Sequence, residues 1–236
     1  MPILAGATLR DRLLASLGAW AGIGVTGVLC GLAFGPHMPM LVAPLGASAV
    51  LLFAVPTSPL AQPWSIIGGN VLSASVGLLI HAVVHDPVLA AGLAVALAII
   101  VMSLTRSLHP PGGAMALSAA MSGPGMVKWS VLFPLAPVGI NCCLLVGAGW
   151  LFHRIRKHSY PHVPLAKPES QSMPVSQAVG TSGFLPEDVD AALAKFNETF
   201  DIDREDLEGL LREIELQAEA RTNALMAKTA RWARRA

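Results

Sequence analysis

Val88-Leu89-Ala90-Ala91-Gly92-Leu93-Ala94-Val95-Ala96-Leu97-Ala98-Ile99-Ile100-Val101-Met102-Ser103-Leu104-Thr105 runs 18 residues without a charge and stops at Arg106. A helix of that length rises about 27 Å, close to the roughly 30 Å of a bilayer's hydrocarbon core. The texture extends in both directions. Between Leu13 and Phe152, a stretch of 140 residues, only Asp86, Arg106 and Lys128 are charged. The whole chain of 236 residues is 53% hydrophobic and 13% charged, against about 25% charge in a soluble domain. Such a stretch has no water-compatible surface, so its solvent is lipid. A soluble enzyme is excluded for the main body. With a net charge of +1 and no concentrated basic face there, nucleic acid is excluded as a partner.

Pro, Gly and the few charges divide the apolar part into six segments, about 13–34, 38–55, 64–84, 88–105, 110–121 and 129–152. The first is flanked by Arg10 and Arg12 and is longer than a signal-peptide core, so it reads as a retained span. The second and fifth are short and carry Pro and Gly at or near their starts. They read either as short spans or as re-entrant half-helices. Arg154, Arg156 and Lys157 place the end of the sixth segment in the cytoplasm. Six crossings also bring Arg10, Arg12 and Arg106 inside, whereas four crossings leave Arg106 outside. Six is therefore the expectation, with both termini cytoplasmic in a multi-pass cell-membrane protein. The fold class is all-α.

The two short segments echo one another. Pro44-Leu45-Gly46-Ala47-Ser48 aligns with Pro110-Pro111-Gly112-Gly113-Ala114, and Trp64-Ser65-Ile66-Ile67 with Trp129-Ser130-Val131-Leu132. Two copies of three crossings would be inverted relative to each other, as in many secondary transporters, where paired interrupted segments mark the site. Pro is favoured in a helix's first turn and pushes the preceding residue out of helical geometry. Leu108 and His109 therefore belong to a connection, and Pro110-Pro111 open a helix. Gly112 and Gly113 on one side, and Pro44 and Gly46 on the other, would leave helix N-termini approachable, and such termini favour anions. The competing reading is that these glycines serve only close helix packing.

Other polar groups carry the same pair of readings. His109 supplies a hydrogen bond or proton, or else caps a helix end. Arg106 is a countercharge or an interface residue. Asn70 and Asn141 bond between helices or line a path. Ser48, and more weakly Thr57 and Ser58, are anion donors. His81 and His85 lie one turn apart but lack a third ligand for a metal. Cys30, Cys142 and Cys143 read as small packing residues. No enzyme motif, no paired membrane carboxylates, no metal site and no cofactor are indicated.

The run Ser107-Leu108-His109-Pro110-Pro111-Gly112-Gly113-Ala114, together with Pro44-Leu45-Gly46-Ala47-Ser48 and Pro56-Thr57-Ser58-Pro59-Leu60-Ala61-Gln62-Pro63-Trp64, resembles the HPP family of integral membrane proteins. The resemblance covers about residues 10 to 155. It implies a membrane fold and, from its characterised members, transport of nitrite.

Of the 31 charged residues, 22 lie after Tyr160. A membrane domain over 1–158 is expected to pass through a Pro-, Ser- and Gln-rich linker, 159–185, into a cytoplasmic helical tail, 186–236. Val189, Leu193, Phe196 and Phe200 form one apolar stripe, and Leu207, Leu210, Leu211, Ile214 and Ala218 a second. The expectation is a helical hairpin, a candidate joint to a second copy of the chain. The acid-rich run from Asp201 lacks the Gly and closing Glu of a calcium loop. Two functions follow. One is a transporter or channel-like permease for a small inorganic anion held at the Pro/Gly-opened helix starts. The other is a non-transporting anchor or sensor whose tail mediates assembly or signalling.

Overall fold

The computed structural model describes residues 9–34, 41–121, 131–162, 202 and 206–216. The chain forms two compact units, Met1–His162 and Val163–Ala236. The described residues of the first unit are helical, with no strand among them. Its helices are α1 (Leu9–Phe34), α2 (Leu45–Ala54), α3 (Pro63–Val83), α4 (Pro87–Leu104), α5 (Pro110–Ala120) and α6 (Ile140–Ile155). A single 3-10 turn, Pro59–Ala61, precedes α3, and an irregular lead-in, Pro134–Gly139, precedes α6.

All six apolar segments contain a helix, but among the described residues only four stretches are long and apolar enough to span a bilayer: Leu9–Ala33, Pro63–Val83, Pro87–Leu104 and Pro134–Ile155. The 10 residues of α2 and 11 of α5 rise only about 15–17 Å each. Helix α2 is shorter than the segment 38–55, because Pro44 opens it at φ −59°. The segment 129–152 departs further from one straight helix. Ala136 leaves helical geometry at φ −134°, ψ 114°, between Pro134 and Pro137. A proline inside a helix removes a backbone donor and clashes with the preceding turn. Regular helix begins only at Ile140.

Contacts at two heights fix the helix directions. Asp11 and Arg156 pair at 3.0 Å, and Cys30 lies 3.8 Å from Asn141, so α1 and α6 are antiparallel. A Cβ on Gly27 would meet Leu41 and one on Gly18 would meet Phe53, so α2 also runs against α1. Helix α5 runs along α3, from Gly69 beside His109 to His81, whose ring bonds the Ala120 carbonyl. Helix α4 returns antiparallel to both, its last turn held where the Trp64 indole N–H donates to Thr105 O at 3.0 Å.

The packing depends on small residues. On α3, Gly69, Ser73 and Gly77 sit four residues apart, and α5 lies directly on them. A Cβ at Gly77 would run into the Ala116 carbonyl oxygen. Ala90, Ala94, Ala98 and Met102 give α4 the same kind of buried stripe. Without water to drive helices together, such close backbone approach supplies the cohesion. The outward faces are apolar, Val88 and Leu104 being 81% and 80% exposed. Ser16, Thr26, Ser75, Ser103 and Ser118 each donate to the carbonyl four residues earlier and so satisfy themselves within their own helix.

The first unit extends to His162. The Tyr160 hydroxyl donates to Ala61 O at 2.9 Å, and the His162 N–H donates to Gln62 Oε1 at 2.9 Å. In the second unit residues 206–216 are helical, with Leu210, Ile214 and Leu216 half exposed. The expected helix after Pro186 and the basic end of the tail lie outside the described residues.

Candidate functional site: a buried polar node where two short helices begin

His109 is fully buried, although it belongs to a connection. It has the extended geometry expected before a proline, φ −147° and ψ 106°, and sits at the start of α5. Its Nδ1 lies 2.8 Å from Leu60 O. A carbonyl oxygen only accepts, so Nδ1 carries the proton. Its Nε2 lies 2.8 Å from Ser48 Oγ, in the fourth residue of α2. In the neutral ring that nitrogen accepts, so the Ser48 hydroxyl donates to it. Ser48 Oγ in turn accepts from Asn70 Nδ2 at 3.2 Å, and Asn70 gives its other N–H to Ile66 O at 2.9 Å. The donors line up from Asn70 through Ser48 and His109 to the Leu60 carbonyl, and bonds in such a chain polarise one another. One ring nitrogen donates and the other accepts, the pattern of a neutral imidazole.

Two polar atoms beside this chain are buried and have no hydrogen-bond partner in the structure: Asn70 Oδ1 and Ser73 Oγ. Leaving such an atom unpaired costs about 1–3 kcal/mol. Ser73 faces the first turn of α5, where a Cβ on Gly112 would lie 2.8 Å from its hydroxyl.

The expected site residues fall into three groups. His109, Ser48 and Asn70 come together. Pro44, Pro111 and Gly112 pack around them, all buried. Gly112 is not approachable by a ligand: its missing side chain admits Met102, Ser73 and Gly69, and its N–H donates to His109 O at 2.8 Å. Pro110 and Pro111 have no N–H to offer, so the mouth of α5 has few free donors. Gly46 is exposed and a Cβ there would meet nothing within 4 Å, and one on Gly113 would meet only Val95 at 3.9 Å. Pro110 is exposed too.

Arg106 and Asn141 lie apart from the node. Arg106 is exposed and left-handed (φ 54°), ending α4 with Arg106 N–H donating to Ser103 O and Ser107 N–H to Met102 O. This is a Schellman ending, which normally takes glycine. Lys157 ends α6 the same way at φ 58°. Asn141 donates to Pro137 O at 2.8 Å and approaches Cys30 of α1, bracing the start of α6. Ser58 accepts from the Leu60 N–H at 3.1 Å and stabilises the turn that presents Leu60 O, while Thr57 is exposed. No cluster of three metal-ligating side chains occurs among the described residues.

Several contributors were not anticipated. The Leu60 carbonyl left no sequence signal. The Gly69-Ser73-Gly77 spacing did, since small residues every fourth position mark a helix-packing face. His153 was also missed; it is buried, its Nε2–H donates to Leu52 O at 2.8 Å, and it stacks with His158 and lies tilted against Tyr160.

Two transmembrane proteins of Dictyostelium discoideum align with this chain. One is 40% identical over 131 residues, 53% of this chain and 45% of its own length. The other is 39% identical over 127 residues, 51% of this chain and 40% of its own. The chain thus spans under half the length of these curated relatives. No solved structure matches. The transmembrane region characteristic of HPP proteins matches residues 5–161, the whole helical unit with its polar node; the chain is an integral membrane protein and belongs to the HPP transmembrane family.

Proposed function

We propose that this chain is a permease for a small inorganic anion, with nitrite the candidate suggested by its family resemblance. The observation that carries the reading is the bond between Ser48 in the first turns of α2 and His109 at the start of α5. Two Pro-opened half-length helices, one from each half of the sequence, begin at one buried polar node in an otherwise apolar bundle. Polar groups at such depth are costly and are retained mainly on transport paths. In this arrangement the path is closed. Separation of the two first turns would free the Ser48 and Ser73 hydroxyls and the Asn70 amide to donate to an anion, near the positive end of α2. No catalytic chemistry and no cofactor enter this reading.

Six crossings and an inverted repeat belong to the same proposal. Helix directions alternate along the chain, which supports six. Helix neighbours support the repeat: α1 packs on α2 and α6, as α4 packs on α5 and α3; α2 touches α6, as α5 touches α3; α3 meets α6, and α2 meets α5. Exchanging α1-α2-α3 for α4-α5-α6 leaves that set unchanged. Arg106, Arg156 and Lys157 share one end of the bundle with Arg10 and Arg12, which supports a cytoplasmic placement of that end and of both termini.

Purified protein in liposomes should pass nitrite faster than empty vesicles, and His109→Ala should slow it. Deleting 163–236, which spares Tyr160 and His162, separates transport from any role of the tail. Wild-type flux equal to that of empty vesicles would discard the permease. The second reading, a membrane anchor or sensor, is favoured by one observation: residues 160 and 162 hold the same turn that holds His109, giving the tail a grip on the node.

A further inference from the structure

Between α3 and α6 lies an apolar groove of about 510 Å³, lined on one side by Trp64, Gly68 and Leu72 and on the other by Gly139, Ile140 and Cys143. Along α3, the nine residues from Trp64 to Leu72 rise about 12 Å, less than half the roughly 30 Å of bilayer hydrocarbon. The groove therefore occupies one leaflet. Which leaflet follows from Trp64, which begins α3 at the end of the bundle where α4 and α6 finish.

That end carries Arg10, Arg12, Arg106, Arg154, Arg156 and Lys157. The described residues of the first unit contain two acids. Asp11 pairs with Arg156 at 3.0 Å, and Asp86 caps the start of α4 at the opposite end by accepting from the Leu89 N–H. The surplus positive charge is thus concentrated at one mouth of the groove. Trp64 marks that mouth. Its ring lies flat over Gly68, 3.1 Å from where a Cβ would be, and its N–H holds the Thr105 carbonyl, the residue before exposed Arg106. Indoles settle at the level of lipid headgroups.

We propose that this groove binds one acyl chain of an anionic glycerophospholipid from that leaflet, with its phosphate at Arg106. The dimensions select a lipid chain over a helix of a second copy. Spread over about 12 Å, the volume gives a mean cross-section of about 40 Å², and a helix with side chains, 10–12 Å across, needs about twice that. The lining supplies no polar partner to the occupant, as suits hydrocarbon, and the irregular lead-in at Pro134–Gly139 holds the groove open beside α3.

The test compares phosphatidylglycerol with phosphatidylcholine of the same acyl chains, retained by the full chain in detergent and counted by native mass spectrometry. Wild type should retain phosphatidylglycerol in preference. Arg106→Gln should lower that preference about fivefold, the worth of one basic residue at an anionic surface, and leave phosphatidylcholine retention as it was. Cys143→Phe and Leu72→Phe, which fill the groove from opposite walls, should each reduce retention of both lipids. Gel filtration reports folding, and either filling variant suffices if the other fails to fold. Unchanged retention in Arg106→Gln and in a folded filling variant overturns the site. So does a wild-type dimer that Cys143→Phe converts to monomer, since the groove then holds a second copy.

Discussion

Helices α2 and α5 begin with the same chemistry and end up in different surroundings. Each opens on proline and follows with glycine, and each contributes to the buried node. Around Gly112 the space is taken by Met102, Ser73 and Gly69, whereas Gly46 faces open space. The cause lies in the partner helix rather than in the motif. Helix α5 rests on the small-residue stripe of α3, which lets the two backbones approach. Helix α2 leans on α1 through Phe53, a bulky ring set against Gly18 and Gly22. A glycine at a helix start therefore says that something comes close, and only the facing helix says whether that is a neighbour or free space. In a moving transporter α5 would belong to the fixed frame with α3 and α4, and α2 to the part that shifts.

The sharpest way to break this comparison is to add side chains to each seat. Gly77→Leu forces atoms into the Ala116 backbone, and overpacking of that severity should cost about 3 kcal/mol or more, enough to abolish folded protein in detergent. Gly46→Ala meets nothing and removes a helical glycine, so it should stabilise by about 0.5–1 kcal/mol. Thermal midpoints of the two variants should move in opposite directions. Equal destabilisation would mean that α2 is as tightly seated as α5.

The node itself should respond to loss of its ring. His109→Leu leaves the Leu60 carbonyl and the Ser48 hydroxyl without their partner, which should cost about 1–3 kcal/mol. His109→Gln, which keeps one donor and one acceptor, should recover part of that cost. Equal thermal midpoints for His109→Leu and wild type would show that water replaces the ring in both bonds.

Much of this was legible in the chain. Charge scarcity identified the membrane body, and the proline rules placed His109 before a helix beginning at Pro110. What sequence could not supply was the partner of each polar group. His109 bonds residues 49 and 61 positions away, and one of those partners is a backbone carbonyl, which every residue has. The interruption before α6 was written in Pro134 and Pro137, but the high apolarity of 129–152 concealed it, because hydropathy counts side chains and ignores missing N–H groups. Glycines 112 and 113 read alike in sequence, yet about 100° of helix rotation separates them, and only Gly112 faces tightly packed neighbours.

The smallest effect tests how the node is held from below. Leu60 and Ala61 present successive carbonyls, one taken by His109 and the other by the Tyr160 hydroxyl. Tyr160→Phe keeps the ring that packs on His153 and deletes only the bond, at a cost of about 0.5–1.5 kcal/mol. If the turn is a shared anchor, loosening Ala61 also loosens Leu60 O. Hydrogen exchange should then quicken at the Leu60 and Gln62 amides and at Gly112, on the far side of His109, while α1 amides stay as protected as before. Faster exchange confined to the turn would mean that the two carbonyls act separately, and that the segment leaving α6 fastens the bundle without reaching the start of α5.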